Sequence, residues 1–480
     1  MALDTIPKQE GGKLKAVASG TLPNGKPVVV NSDGTVSVVA GSDSSAGSPV
    51  VFNSATSTML HRSSVYDSAN NKIVIAFKDY NNSQYGTAIV GTISGSTITF
   101  GSSTVFQSAS ITHQVITFDS SNNKVVIAYR DGGAGKAIVG TVSGTSISFG
   151  SPTTFESSGI EGVGITFDTA NNKVVISYSD LDSSAHGTAV VGTVSSTSIS
   201  FGTPVVFEAA RTDYTSAAFD GNNGKVVISY SDKSNSNYGT VVVGTVSGTS
   251  ISFGSAVVYT SEYTVYNAIV FDSNVNKVVI SYRAATDGDK GKSFVGTVSG
   301  TSISFGSAAT FASGGVSIVS TTYDTSLNKV LVAYNDKGNS NYGTIAIGTV
   351  SGTSISFAPG GVFESASVDD INITYDANAN KSAVFYFDGG NSNYGTASVF
   401  TAGSTNLTSE NYIGMSTSGT VADGDNATID IVGAVNKEQS GLTAGQKYYV
   451  QTDGTIGTTP ADPSVLAGTA VSATKMVVKS

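Results

Sequence analysis

The rarest polar residues of this chain fall into a repeating register. It contains three histidines, His61, His113 and His186, and four arginines, Arg62, Arg130, Arg211 and Arg283. Five residues ahead of a recurring aromatic-Asp pair stand His61, His113, Gly162, Tyr214, Tyr266, Ile318 and Asp370, with Glu161, Asp213 and Asp369 one residue earlier. A second register reads Tyr85, Ala134, His186, Tyr238, Lys290, Tyr342 and Tyr394. Tyrosines among carboxylates, imidazoles and guanidinium groups suit recognition: a sugar stacks on the phenol and bonds through its hydroxyls, and a protein surface meets the same groups.

Catalytic readings fare less well. His61, His113 and Glu161 are metal-ligand types, but two imidazoles and a carboxylate from another repeat make a thin set. Glycoside hydrolysis needs two carboxylates about 5–9 Å apart. Glu161, Asp213, Asp369 and Asp370 are the available pool, yet no Asp-box, no tryptophan and no sialidase-like arginine triad accompanies them. Loops such as "DKSNSNYG" and "DYNNSQYG" lack the alternating carboxylates of a calcium loop. We therefore expect no catalytic residue, no metal and no cofactor. The expected ligand-binding face comprises His61, Arg62, His113, Glu161, Tyr214, Tyr266 and Asp370, with Tyr85, His186, Tyr238, Tyr342 and Tyr394 around it.

The elements that position these residues are repeats. Aromatic-Asp pairs occur at Tyr66-Asp67, Phe118-Asp119, Phe167-Asp168, Phe219-Asp220, Phe271-Asp272, Tyr323-Asp324 and Tyr375-Asp376, each followed by a lysine five residues after the Asp, from Lys72 to Lys381. The spacing of about 51 residues lies in the range of propellers and solenoids. Within a unit four strand-like segments appear, as in "GVGITFD", "KVVISYSD", "GTAVVGTV" and "TSISFGTPVVFE". Their loose alternation, apolar on both faces, suits sheets stacked between neighbours. Asn and Gly punctuate the turns, where positive φ is required.

The predicted fold is all-β: a seven-bladed β-propeller of four-stranded antiparallel blades, with an open solenoid as the alternative. The frame of the repeats favours closure. The outer-strand aromatic of Phe106, Phe155, Phe207, Tyr259, Phe311 and Phe363 has its seventh copy at Phe52, before the first full unit. The "SISF" half has a degenerate seventh copy in "TNLTS" at 405–409. An N-terminal strand is therefore expected to complete the last blade beside 406–409, removing two open sheet edges. The expected domains are an N-terminal arm with a hairpin (1–46), the propeller (47–411) and a C-terminal β-module (412–480). In the ring, the Asp-x4-Lys turns share one uniform face, where each Asp is expected to cap its turn and pair with its own Lys. The variable residues share the other face, as a recognition surface requires.

Composition excludes other classes. A formal charge of −10 argues against nucleic acid as a partner. No apolar run reaches the roughly 18 residues of a membrane span. No cysteine is present, so packing alone must hold the fold. The start "MALDTIPKQEGGKLK" has no apolar signal-peptide core, which leads us to expect assembly in a host cytoplasm and release without one.

The flanks carry a resemblance. "GKPVVVNSDGTV" (25–36) aligns with "GQKYYVQTDGTI" (445–456), each a strand, an Asp-Gly turn and a strand, so the termini are expected to form one small β-module. The last 70 or so residues, above all "SGLTAGQKYYVQTDGTI" and "AGTAVSATKMVVK", resemble a C-terminal module of tail and other virion proteins of bacteriophages, marine ones especially. The blades are similar to repeats of such fibre-like proteins. The resemblance implies a virion-associated, non-enzymatic protein whose partners are other virion proteins and further copies of itself, with a host surface glycan or receptor as the target. It supplies no catalytic residues. Two alternatives stand beside it: a structural tube, collar or decoration subunit, and a polysaccharide depolymerase.

Overall fold

The computed structural model describes residues 12–54, 62–461 and 463–479. It divides into two units, Ser45–Thr401 and a second assembled from both ends of the chain, up to Ser44 and from Ala402. The propeller accordingly ends at 401 rather than 411. Residues 402–411 join the terminal unit, where Ser404–Thr405 pairs with Gly41–Ser42 and Asn406 N donates to Ala40 O at 3.0 Å.

Each repeat of Ser45–Thr401 is an antiparallel meander. In the third, Ile160–Asp168, Lys173–Asp180 and His186–Ser195 pair in order, and the outer edge comes in two pieces. Ser198–Phe201 pairs with the end of His186–Ser195, and the start of Val205–Asp220 pairs with its beginning. Strands Thr104–Asp119, Val205–Asp220, Val257–Asp272 and Ser354–Asp376 each finish one repeat and open the next. The second strands are buried along nearly their whole length, because each sheet lies between two others and has no solvent face.

Glycines mark where backbone and ring must touch. A Cβ on Gly86, Gly135, Gly187, Gly239, Gly291 or Gly343 would strike the outer-strand aromatic, from Phe106 to Phe363. In the seventh repeat that aromatic is Phe52, which lies over Gly395 and meets Phe77 of the first repeat at 5.5 Å between centroids. Val50–Asn53 pairs with Tyr394–Thr401, so the ring is closed by a strand from before the first repeat. Ser64 on the first innermost strand bonds Asn372 and Thr374 on the last. A solenoid would leave those ends apart.

One expectation about the seam is corrected. The missing half of the outer strand is supplied by Ser45–Ala46, paired with Phe400 and Thr401, and not by 406–409. Ser45 and Ala46 lack the Ile and Phe of the "SISF" segments. Their volume is replaced from the third strand: where other repeats carry Gly91, Gly140 or Gly192 beneath an Ile and a Phe, the seventh has Phe400, 1% exposed.

The terminal unit holds two five-stranded sheets. In one, Lys13–Val17 pairs with Asn426–Asp430 and Pro27–Val30 with Tyr412–Thr417, so both ends build it; the other comes from Val435 to Val478 alone. The two aligned hairpins form as expected, Pro27–Val30 with Val36–Val38 and Lys447–Val450 with Ile456–Gly457. Both turn on a glycine of positive φ, Gly34 and Gly454, braced by the preceding Asp. Asp33 accepts from Thr35 Oγ1 at 2.6 Å and Asp453 from Thr455 Oγ1 at 2.7 Å, and these bonds hold both carboxyls below the usual range.

Candidate functional site

The two ends of the ring are built differently. At the turn end each conserved-in-repeat Asp is at most 2% exposed and accepts from two backbone N–H groups at 2.9–3.2 Å. The residue before the lysine sits at positive φ, as Asn71, Asn123 and Asn172 do. The expected Asp–Lys pairing is replaced by another. With the carboxylate occupied by the turn, Lys225, Lys277, Lys329 and Lys381 reach the third strand and donate to Thr245, Thr297, Thr349 and Thr401 at 2.5–2.9 Å. Most of these bonds close within one repeat, while Asn223 Nδ2 also donates to Val298 O of the next at 3.4 Å.

At the other end the innermost strands are bulged. Their registers slip at Thr112/Val115, Glu161/Gly164, Asp213/Ser216, Val265/Ala268, Val316/Val319 and Asp369/Asn372. The bulged residue takes left-handed backbone: His113 at φ 55°, Gly162 at 52°, Tyr214 at 52°, Tyr266 at 55° and Asp370 at 49°. Only Gly162 does so without steric cost. Ile318, β-branched, is not among the positive-φ residues. The register singled out by composition is thus the bulge register, and it re-aims those side chains.

Their destination is a central cavity of about 730 Å³ lined by all seven innermost strands. His113, Glu161, Tyr214, Tyr266 and Asp370 all line it. Tyr214 and Tyr266 form a tilted pair 5.3 Å apart, and Arg283 lies 5.9 Å from the Tyr266 ring centre. Burial pushes both phenols above the ordinary tyrosine value, with Tyr266 adding to the shift at Tyr214, while Arg283 opposes it at Tyr266. His61 lies outside the described residues. Arg62 is on the strand Arg62–Asp67, and its side chain is not described. Tyr85, His186, Tyr238, Tyr342 and Tyr394 open third strands, half-buried, and do not line the cavity. They stand at the same end of the ring, His186 opposite Arg211 and Tyr238 opposite Tyr263.

A chain of opposite charges runs around the mouth. Arg130 and Arg211 flank Glu161 at 3.7 and 3.6 Å, and Arg211 and Lys233 flank Asp213 at 3.4 and 2.9 Å. Further round, Arg283 and Lys337 share Asp289 at 2.9 and 2.7 Å. Composition alone did not single out Lys233 or Asp289, because loop length decides which repeats they reach. Nor did it single out Asn267, one residue after the bulge, where repeats 3, 6 and 7 carry Val163, Val319 and Ile371 and repeats 1, 2 and 4 carry Arg62, Gln114 and Thr215. With polar and apolar residues both in that register, its type alone gave no signal. Among the described residues, no group of three or more His, Cys, Asp or Glu is placed to hold a metal ion.

No family model matches the chain, and no curated protein matches its sequence. Solved structures do. A mutant of the NanB sialidase from Streptococcus pneumoniae gives a TM-score of 0.43 at 12% identity, over 74% of this chain and 70% of that one. The Dos1 propeller gives 0.46 at 10%, over 76% and 95%. The BP39L lectin from Burkholderia pseudomallei gives 0.52 at 13%, covering 73% of this chain and 98% of the lectin. At such identities the likeness concerns architecture alone. The likeness to the lectin, together with the closed strand pairing, makes Ser45–Thr401 a β-propeller.

Proposed function

We propose that the bulged mouth of the channel is a carbohydrate-recognition site, and that the chain does no chemistry on what it holds. One observation carries this reading: four non-glycine residues of one register keep left-handed backbone around a cavity. Such conformations cost about 1–3 kcal/mol each and persist where function uses them. An aromatic pair beside charged groups is the combination that stacks on a sugar and bonds its hydroxyls. The carboxylates Glu161 and Asp213 each face two cations, which leaves them poorly suited as the acid and base of a hydrolase.

We further propose that the protein is a component of a bacteriophage particle, attached through its terminal unit beside other virion proteins and further copies of itself. The support is the resemblance of the last 70 or so residues, whose quoted segments supply the Lys447–Val450 hairpin and the final two strands.

A glycan array probed with the full chain tests the first proposal. Binding should be present and fall at least tenfold in the Tyr214→Ala/Tyr266→Ala double variant. An array blank for the intact chain removes the recognition role, and new reducing ends from a bound glycan would make the protein a hydrolase. Mass spectrometry of purified particles tests the second, since the chain must be found in them.

A further inference from the structure

We infer that the cavity takes the terminal residue of a neutral glycan end-on, and that Asn267 reads it. This rests on the carbohydrate proposal above and goes further by fixing the part of the glycan and the residue that selects it. Asn267 lines the cavity, is 8% exposed, and has no hydrogen-bond partner on either Oδ1 or Nδ2 among the described residues. A buried amide left this way is destabilising, because it gives up water and gains nothing. The fold does not require it. Val163 and Val319 occupy the same register in repeats 3 and 6. An amide presents one acceptor and two donors, the complement of neighbouring hydroxyls on a pyranose.

Three features define the ligand. The cavity is encircled by the seven innermost strands, so entry is along the ring axis and a chain end fits where a continuous polymer does not. Its volume of about 730 Å³ suits a small ligand or the tip of a larger one. The described cations at the mouth already face carboxylates, so a neutral sugar meets less competition than an acidic one. Beyond Asn267 the lining is mixed, with Ile116, Ile269 and Ile373 among Ser216, Ser320, Thr321 and Asn372. We place the hydroxyl-bearing face of the sugar against Asn267 and the Tyr214–Tyr266 pair, where an unpartnered amide and two stacking rings stand together.

The test is saturation-transfer NMR on the full chain with methyl pyranosides of glucose, galactose, mannose, rhamnose, N-acetylglucosamine and N-acetylgalactosamine. At least one should receive saturation. Asn267→Val should weaken its binding at least tenfold while raising Tm by about 2 °C, since the variant buries no unpartnered amide. Asn267→Thr, with the residue of repeat 4 at that register, serves as a second variant should the first fail to fold, and should weaken binding less. Opposite signs in affinity and stability distinguish a reading residue from a structural one. Equal affinity in wild type and Asn267→Val overturns the inference. So does the absence of transfer from every pyranoside, the result expected of a cavity holding water only. A glycan array still positive and sensitive to the tyrosine variants would then leave the mouth as a recognition site without end-on reading. A blank array removes both.

Discussion

The turn end and the mouth of the ring start from the same seven strands and treat polar groups in opposite ways. At the turn end each buried Asp is satisfied by its own turn, and lysines bond threonines of the same repeat. At the mouth, the left-handed backbone that Asn adopts at modest cost in the turns is held by Tyr214 and Tyr266, charges pair between repeats, and Asn267 has no partner among the described residues. The contrast separates stability from function within one repeat. Residues that close their own hydrogen bonds can recur seven times unchanged, while residues left strained or open differ from repeat to repeat because each faces shared space.

Alkali should give the largest effect, and from the mouth half. Tyr178, Tyr230, Tyr282 and Tyr386 are fully buried, and their hydroxyls donate to Glu156, Glu208, Glu262 and Glu364 at 2.8–3.4 Å. Burial, with those carboxylates, pushes each phenol well above its ordinary value. A raised folded pKa means the folded state holds its proton longer than the unfolded chain. Stability is therefore full below the unfolded value near 10 and declines above it, by about 1.4 kcal/mol per pH unit for each such group. Denaturant midpoints measured from pH 8 to 12 should fall steeply beyond pH 10. A flat profile would mean the phenols ionise without unfolding.

Asp168→Ala comes next. It removes an acceptor of bonds from Ala170 N, Asn171 N and Asn171 Nδ2 at 2.8–3.0 Å and should cost about 3 kcal/mol in urea unfolding, with ligand binding unchanged. Lost binding at equal folded fraction would erase the division between the two ends. At Tyr214 the comparison is between two variants. Both Ala and Gly remove the ring, but Gly relieves the left-handed backbone, so Tyr214→Gly should be the more stable by about 1 kcal/mol. At an ordinary strand position the order is reversed. Smallest of all, Lys225→Ala breaks a peripheral bond to Thr245 and should change stability by no more than about 0.5 kcal/mol.

These contrasts also mark what a linear reading reaches. The seven Asp turns, their Asn at positive φ and the displaced aromatic Phe52 were legible because each depends on residues a few positions apart or on a strict period. The mouth register was legible as variation, though not as bulges, because strain is a property of pairing and not of composition. Tyr85, Tyr238, Tyr342 and Tyr394 stood out by type, yet a tyrosine opening a strand can cover its own blade as readily as a pocket. The Arg130–Glu161 link needed repeats 2 and 3 to be stacked, and the Lys233–Asp213 pair needed the loop after the second strand to fold back on its own repeat. The Lys–Thr bonds were missed because the cross-strand partner of each lysine is the Asp, whose carboxylate turns away.

The strand that closes the ring has a consequence for how the molecule comes into being. Val50–Asn53 leaves the ribosome before its partner Tyr394–Thr401, which emerges more than three hundred residues later. Throughout that interval Phe52 has no Gly395 to cover, and the growing sheet stack exposes a fresh edge with each completed unit. The circle is therefore shut in one late step that joins the most distant segments of its sequence, with the largest loop entropy to overcome. Synthesis order, not only final packing, decides when the central chamber first exists.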